Sequence, residues 1–151
     1  MSNYKKIGVA FAFFVAIYCL WVAVRQAKVV KVNKDVVFVE HLPMTNKGKL
    51  NWWLENKDSL QNKYHIFNTP DNFTITIMNF GGYKNLPTGT RDGSVDDYTC
   101  FDNTNDQHKN CVYNDIDIVV RGSLNGKKFI NIDGKTYIQT GSEKVTLYKT
   151  N

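Results

Sequence analysis

Cys100 and Cys111 are the residues of this 151-residue chain best suited to covalent chemistry. The ten residues between them, FDNTNDQHKN, are polar and turn-forming, so the segment can bring the two thiols together. Closing such a loop is worth about 2–3 kcal/mol. A disulfide here requires an oxidising compartment; the alternative is two buried free thiols in a reducing one. The third cysteine, Cys19, lies in an apolar run and acts there as a small inert filler. Metal ligation has little support. There is no C-x-x-C, and His41, His65 and His108 do not fall at ligand spacing.

The carboxylates cluster in the same part of the chain. Residues 91–117 carry Asp92, Asp96, Asp97, Asp102, Asp106, Asp115 and Asp117 against Arg91 and Lys109, a net charge of −5. A calcium loop needs carboxylates at alternate positions and a closing Glu, and neither 92–97 nor 102–106 supplies them. The expectation is a solvated acidic loop, with Asp96, Asp97 and Asp102 as candidate contacts to a basic partner. No G-x-S-x-G frames a nucleophile, and Gly81-Gly82 lacks the Lys-Ser/Thr of a phosphate loop. The expectation is therefore a protein without catalytic residues, metal or cofactor. Asn72-Phe73-Thr74 matches a glycosylation sequon, but Phe73 belongs to an alternating strand pattern.

These groups are positioned from one stretch. Residues 7–24, IGVAFAFFVAIYCLWVAV, contain no charge and no proline. As a helix they extend roughly 27 Å, enough to cross the hydrocarbon core of a bilayer. Lys5 and Lys6 on one side, and Trp21 with Arg25 on the other, are the anchors expected at the two head-group levels. A cleaved signal would need small residues after the run; Val24-Arg25-Gln26-Ala27 offers none in the required pattern. Tyr18 before Cys19 is too bulky for lipid attachment. An uncleaved signal anchor is the reading. Bases flank both ends, since Arg25, Lys28, Lys31 and Lys34 follow closely, but long domains translocate largely regardless of charge. The cysteine pair favours a cytoplasmic head (1–6) and an outward-facing domain. The formal net charge of +5 falls to +2 beyond Arg25, too small for a nucleic-acid binder. The bases nearest the run suit anionic lipid head groups.

The remaining elements predict one α+β domain, with residues 25–44 as tether and first strand and 45–151 as the domain. Val30 to Val39 form a strand or tight hairpin around Asn33-Lys34-Asp35. Residues 45–64 form the one main amphipathic helix, capped by Thr45 or Asn46, with Gly48 pushing its start toward Lys49. Its apolar stripe reads Leu50, Trp53, Leu54, Lys57 by its stem, Leu60 and Tyr64. Trp52 lies off that stripe, as a ring covering the sheet edge or as an anchor for a membrane or partner. Phe73, Ile75 and Ile77 share one strand face; Ile116, Ile118 and Val120 share another. Short strands flank Cys100 and Cys111. A closing meander turns at Asp133-Gly134. The sheet is mostly antiparallel.

Several islands resemble one family, small enterobacterial inner-membrane proteins grouped as a domain of unknown function. They are the N-terminal run, LPMTNKGKLNWWL at 42–54 with its continuation to Tyr64, NFGGYK at 79–84, Cys100-Phe101-Asp102 with Asn110-Cys111, and GKTY at 134–137. The Lys-Gly-Lys-x-x-Trp-Trp piece is the most specific. The 80–82 turn departs from the pattern, which has an Asp between the glycines. The resemblance implies a single-pass inner-membrane protein with a periplasmic domain and brings no catalytic residues. Two functions fit: an accessory subunit of an envelope complex, or an immunity protein neutralising an envelope-acting toxin.

Overall fold

The computed structural model describes residues 3–69, 71–102, 110–141 and 144–148, and for 3–6 and 22–24 the backbone alone. The apolar run lies within one continuous helix, α1 (Asn3–Val24). Among the described residues no helix is long and apolar enough to cross a membrane; the side chains described on α1 run from Ile7 to Trp21.

Three residues after α1 the sheet begins. Strands β1 (Lys28–Asn33) and β2 (Val36–Glu40) form an antiparallel hairpin. They are the first two strands of the main sheet, and residues 25–27 separate them from α1. Helix α2 (Asn46–Tyr64) then crosses over to β3 (Thr74–Asn79), which pairs parallel to β2 as a crossover connection requires. A short 3₁₀ turn (Val95–Asp97) leads into a separate two-stranded ribbon, β4 (Tyr98–Cys100) and β5 (Cys111–Tyr113). The chain re-enters the sheet as β6 (Ile116–Gly122) against β3 and closes with the meander β7 (Lys128–Ile132), β8 (Lys135–Thr140) and β9 (Lys144–Leu147). The order is β1-β2-β3-β6-β7-β8-β9, antiparallel throughout except β2–β3. At the β7–β8 turn Asp133 and Gly134 both take positive φ, 49° and 77°, as a two-residue hairpin turn demands.

The side-chain period of two divides the sheet into two faces. On one, Val37, Ile77, Ile118 and Ile132 stand in register across four strands, and Ile75, Val120 and Ile130 form the next row. All seven are fully buried, under α2. On the other, Phe38 and Met78 pack against Phe101 and Val112 of the ribbon. The buried positions of α2 are Lys49, Trp52, Trp53, Lys57 and Leu60. That corrects the expected stripe: Leu50 and Leu54 are half-buried, Tyr64 is exposed, and Trp52 lies on the stripe, 8% exposed. Offsets of 3, 4, 8 and 11 from Lys49 trace one helical face as well as the apolar-only choice did, and tertiary packing decided between them. The helix starts at Asn46, ahead of Lys49, because the Thr45 hydroxyl accepts the Gly48 N–H at 3.1 Å.

Candidate functional site

The most specific stretch of the sequence, residues 42–54, is the seam that fastens α2 to one end of the sheet. Pro43 turns the chain after β2, and Thr45 caps the helix. Gly48 leaves room for that turn: a Cβ there would lie 2.6 Å from Pro43 Cβ and 3.0 Å from Thr45 Oγ1. Asn46 Nδ2 donates to the Ile132 carbonyl at 3.3 Å. Lys49, 7% exposed, donates through Nζ to Asp117 at 2.5 Å and to Asp133 at 3.1 and 3.3 Å. Burial works to lower the Lys49 pKa, but the hydrogen bonds and charges of Asp117 and Asp133 outweigh it, and the net shift is upward.

Asp117 reaches Lys49 because β6 is bulged. Ile77 pairs with Ile118 but Met78 pairs with Ile116, so Asp117 is the extra residue. A bulge re-aims side chains: Asp117 swings to the helix side, and Ile116 is pushed into solvent at 54% exposure. Ile116 thus leaves the face it was expected to share with Ile118 and Val120. Nothing in composition marks this cluster; a bulge beside a Lys on an otherwise apolar stripe is its only signal.

The ribbon is a different kind of construction. Cys100 and Cys111 lie directly opposite one another in the β4–β5 register and are joined by a disulfide. Phe101, 8% exposed, sits edge-on to Phe38, with centroids 5.5 Å apart, and Lys31 Nζ lies 4.0 Å above its ring. The backbone of Cys111 exchanges hydrogen bonds with Lys84. At the entry to β4, the Asn114 N–H donates to the Asp97 carbonyl at 2.8 Å and Asn114 Nδ2 to that of Asp96 at 3.3 Å. Thr99 Oγ1 in turn donates to Asn114 Oδ1 at 2.6 Å. The backbone of Asp96 and Asp97 is therefore held, while their carboxylates are exposed and unpaired among the described residues. Val95, 43% exposed, and Tyr113, 45% exposed and edge-on to Tyr98, lie beside them. Upstream, Asp92 accepts from Thr88 N–H and Oγ1, the main cause of its lowered pKa.

The structure therefore brings Asp96 and Asp97 together but not Asp102. That residue is also exposed but lies beyond the other end of β4, about five residues or roughly 16 Å away along the chain. Asp106 and His108 lie outside the described residues, as do the side chains of Lys5 and Lys6. Arg25 sits over Trp21, 3.4 Å from the ring centroid, joining those two anchor residues in one cation–π pair. Trp52 is enclosed in the core and presents almost no surface. Among the described residues no group of three or more His, Cys, Asp or Glu could hold a metal ion.

A family described as "Enterobacterial putative membrane protein (DUF943)" matches residues 2–149. The chain belongs to this family. The match spans α1, the seam and the ribbon. No curated protein and no solved structure matches the chain.

Proposed function

We propose that this is a single-pass protein of the bacterial inner membrane whose periplasmic domain docks a protein partner without catalysing a reaction. In this reading α1 is an uncleaved anchor with its amino terminus in the cytoplasm, and the domain serves as an accessory subunit of an envelope complex. The family description supports a membrane setting. The disulfide supports an oxidising compartment outside the cytoplasm. A single observation carries the binding role: two carboxylates unpaired among the described residues, Asp96 and Asp97, held at the entry to a cross-linked ribbon beside exposed Val95 and Tyr113. Unpaired charge bordered by aromatic surface speeds capture of a basic partner and then gives it apolar area to bury.

The test is photo-crosslinking of the full chain in cells, with a photoreactive residue at Val95 or Tyr113 and a control at Leu124. The expected result is a discrete adduct from the ribbon positions, reduced when Asp96→Lys and Asp97→Lys are combined, and none from the control. No adduct from either ribbon position would overturn the reading. The same acidic face would suit a basic toxin, which is what an immunity protein must bind. A deletion strain that becomes sensitive to a competitor's toxin would assign that role.

A further inference from the structure

Where α1 leaves the domain is fixed by topology. Only residues 25–27 separate it from β1, so the first residue of the sheet lies within about 14 Å of the helix end. The strand directions then determine which other residues share that end. Lys28 is opposite Glu40, β2 and β3 run parallel to their ends at Glu40 and Asn79, and β6 begins there at Ile116. β7 ends at Ile132, and the N-terminus of α2 is tied to it through Asn46. The opposite end carries the Ser123–Gly126 turn, a strand length of about 23 Å away.

The end nearest α1 exposes two large apolar side chains. Met44 is 88% exposed and Ile116 54%. Met44 lies between Pro43 and the capping Thr45, and Ile116 is turned outward by the bulge that delivers Asp117 to Lys49. Of the four carboxylates at this end, Asp117 and Asp133 are bound to Lys49, Glu40 is half-buried opposite Lys28, and exposed Asp115 accepts from Asn79 Nδ2 at 3.1 Å. Lys28, Lys47 and Lys135 are exposed around the rim. Leu42, Pro43 and Met44 face Tyr18 and Cys19 of α1 across a cleft of about 990 Å³, about two turns of helix below Arg25.

We infer that this end of the domain is a lipid-contacting surface, with Met44 and Ile116 seated at the boundary between head groups and acyl chains and the lysines meeting anionic head groups. The inference rests on α1 being a membrane anchor and adds that the domain lies against the bilayer. Interfacial elements of this kind bury apolar side chains about 5–10 Å into the boundary and ring them with bases. The seam thereby has a second use: it holds α2 to the sheet and fixes an apolar edge at membrane level.

The experiment uses the full chain with Cys19→Ala, its disulfide intact, in vesicles of phosphatidylethanolamine and phosphatidylglycerol. An environment-sensitive dye is attached through Met44→Cys, Ile116→Cys or Leu124→Cys, one at a time. All three positions are exposed, so the fold tolerates them, and Leu124, at 84% exposure, is an equally apolar control at the far end. The expected result is blue-shifted emission at 44 and 116, with quenching by lipid-borne quenchers several-fold stronger than at 124. If the protein floats with the vesicles but 44 and 116 are as water-exposed as 124, the inference is overturned and the anchor stands. If the protein does not float, both are overturned.

Discussion

The two faces of the sheet are held by different physics. The α2 face rests on burial: seven aliphatic side chains in two cross-strand rows lie under Trp52, Trp53 and Leu60. One buried cation fixes the helix register. Among the described residues the ribbon face has a core cluster of four buried side chains, Phe38, Met78, Phe101 and Val112, and a covalent bond. A short ribbon with so little apolar cover is marginal alone, and the disulfide compensates by restricting its unfolded state. One face is therefore scaffold, and the other is the one on which the proposed binding surface depends, with its order expected to follow redox state.

The comparison breaks most readily at Trp53, which is fully buried. Trp53→Ala should cost about 3–5 kcal/mol by urea unfolding, and the ribbon should unfold with the rest because its supporting strands go. Lys49→Met should cost about 2–3 kcal/mol, below the full penalty for a broken buried pair because Asp133 is half exposed. The Lys49 pKa is raised, so its contribution is complete below the ordinary value of 10.5 and fades as pH climbs through the higher folded-state value. The variant should therefore lose the alkaline limb of the stability profile, read as Tm against pH. Reduction of Cys100–Cys111 should cost about 2–3 kcal/mol. Amide exchange should accelerate at 98–100 and 111–113 and stay slow in β3, β6 and β7. Equal acceleration in both sets would erase the distinction between the faces. Gly48→Ala, which in an ordinary helix is stabilising, should instead destabilise by about 1 kcal/mol because the new methyl meets the rigid Pro43 ring.

Much of the scaffold was legible in the sequence, because periodicity is a local property. The 73–77 and 118–120 alternation, the Asp133-Gly134 turn and the Thr45 cap each follow from a few adjacent residues. The cysteine pair was legible too, since a short polar loop between two thiols limits where they can lie. What escaped was long-range. Nothing local marks Lys49 as an inward residue, because its partners lie 68 and 84 residues away and one of them arrives only through a bulge. Trp52 falls off the expected stripe because that stripe starts from Leu50 and leaves out Lys49, the inward residue one position before it. The three aspartates looked like one patch because spacing along the chain does not show that β4 carries Asp102 away from Asp96 and Asp97.

In the proposed reading the domain carries its bridge outside the cytoplasm, and thiol counting in cells tests this most directly. Cells producing the full chain are denatured in a mass-adding maleimide, with and without prior reduction. One label, at Cys19, is expected before reduction, and three after it. Three labels without any reductant would mean that Cys100 and Cys111 are free thiols, and would contradict both the ribbon and the compartment.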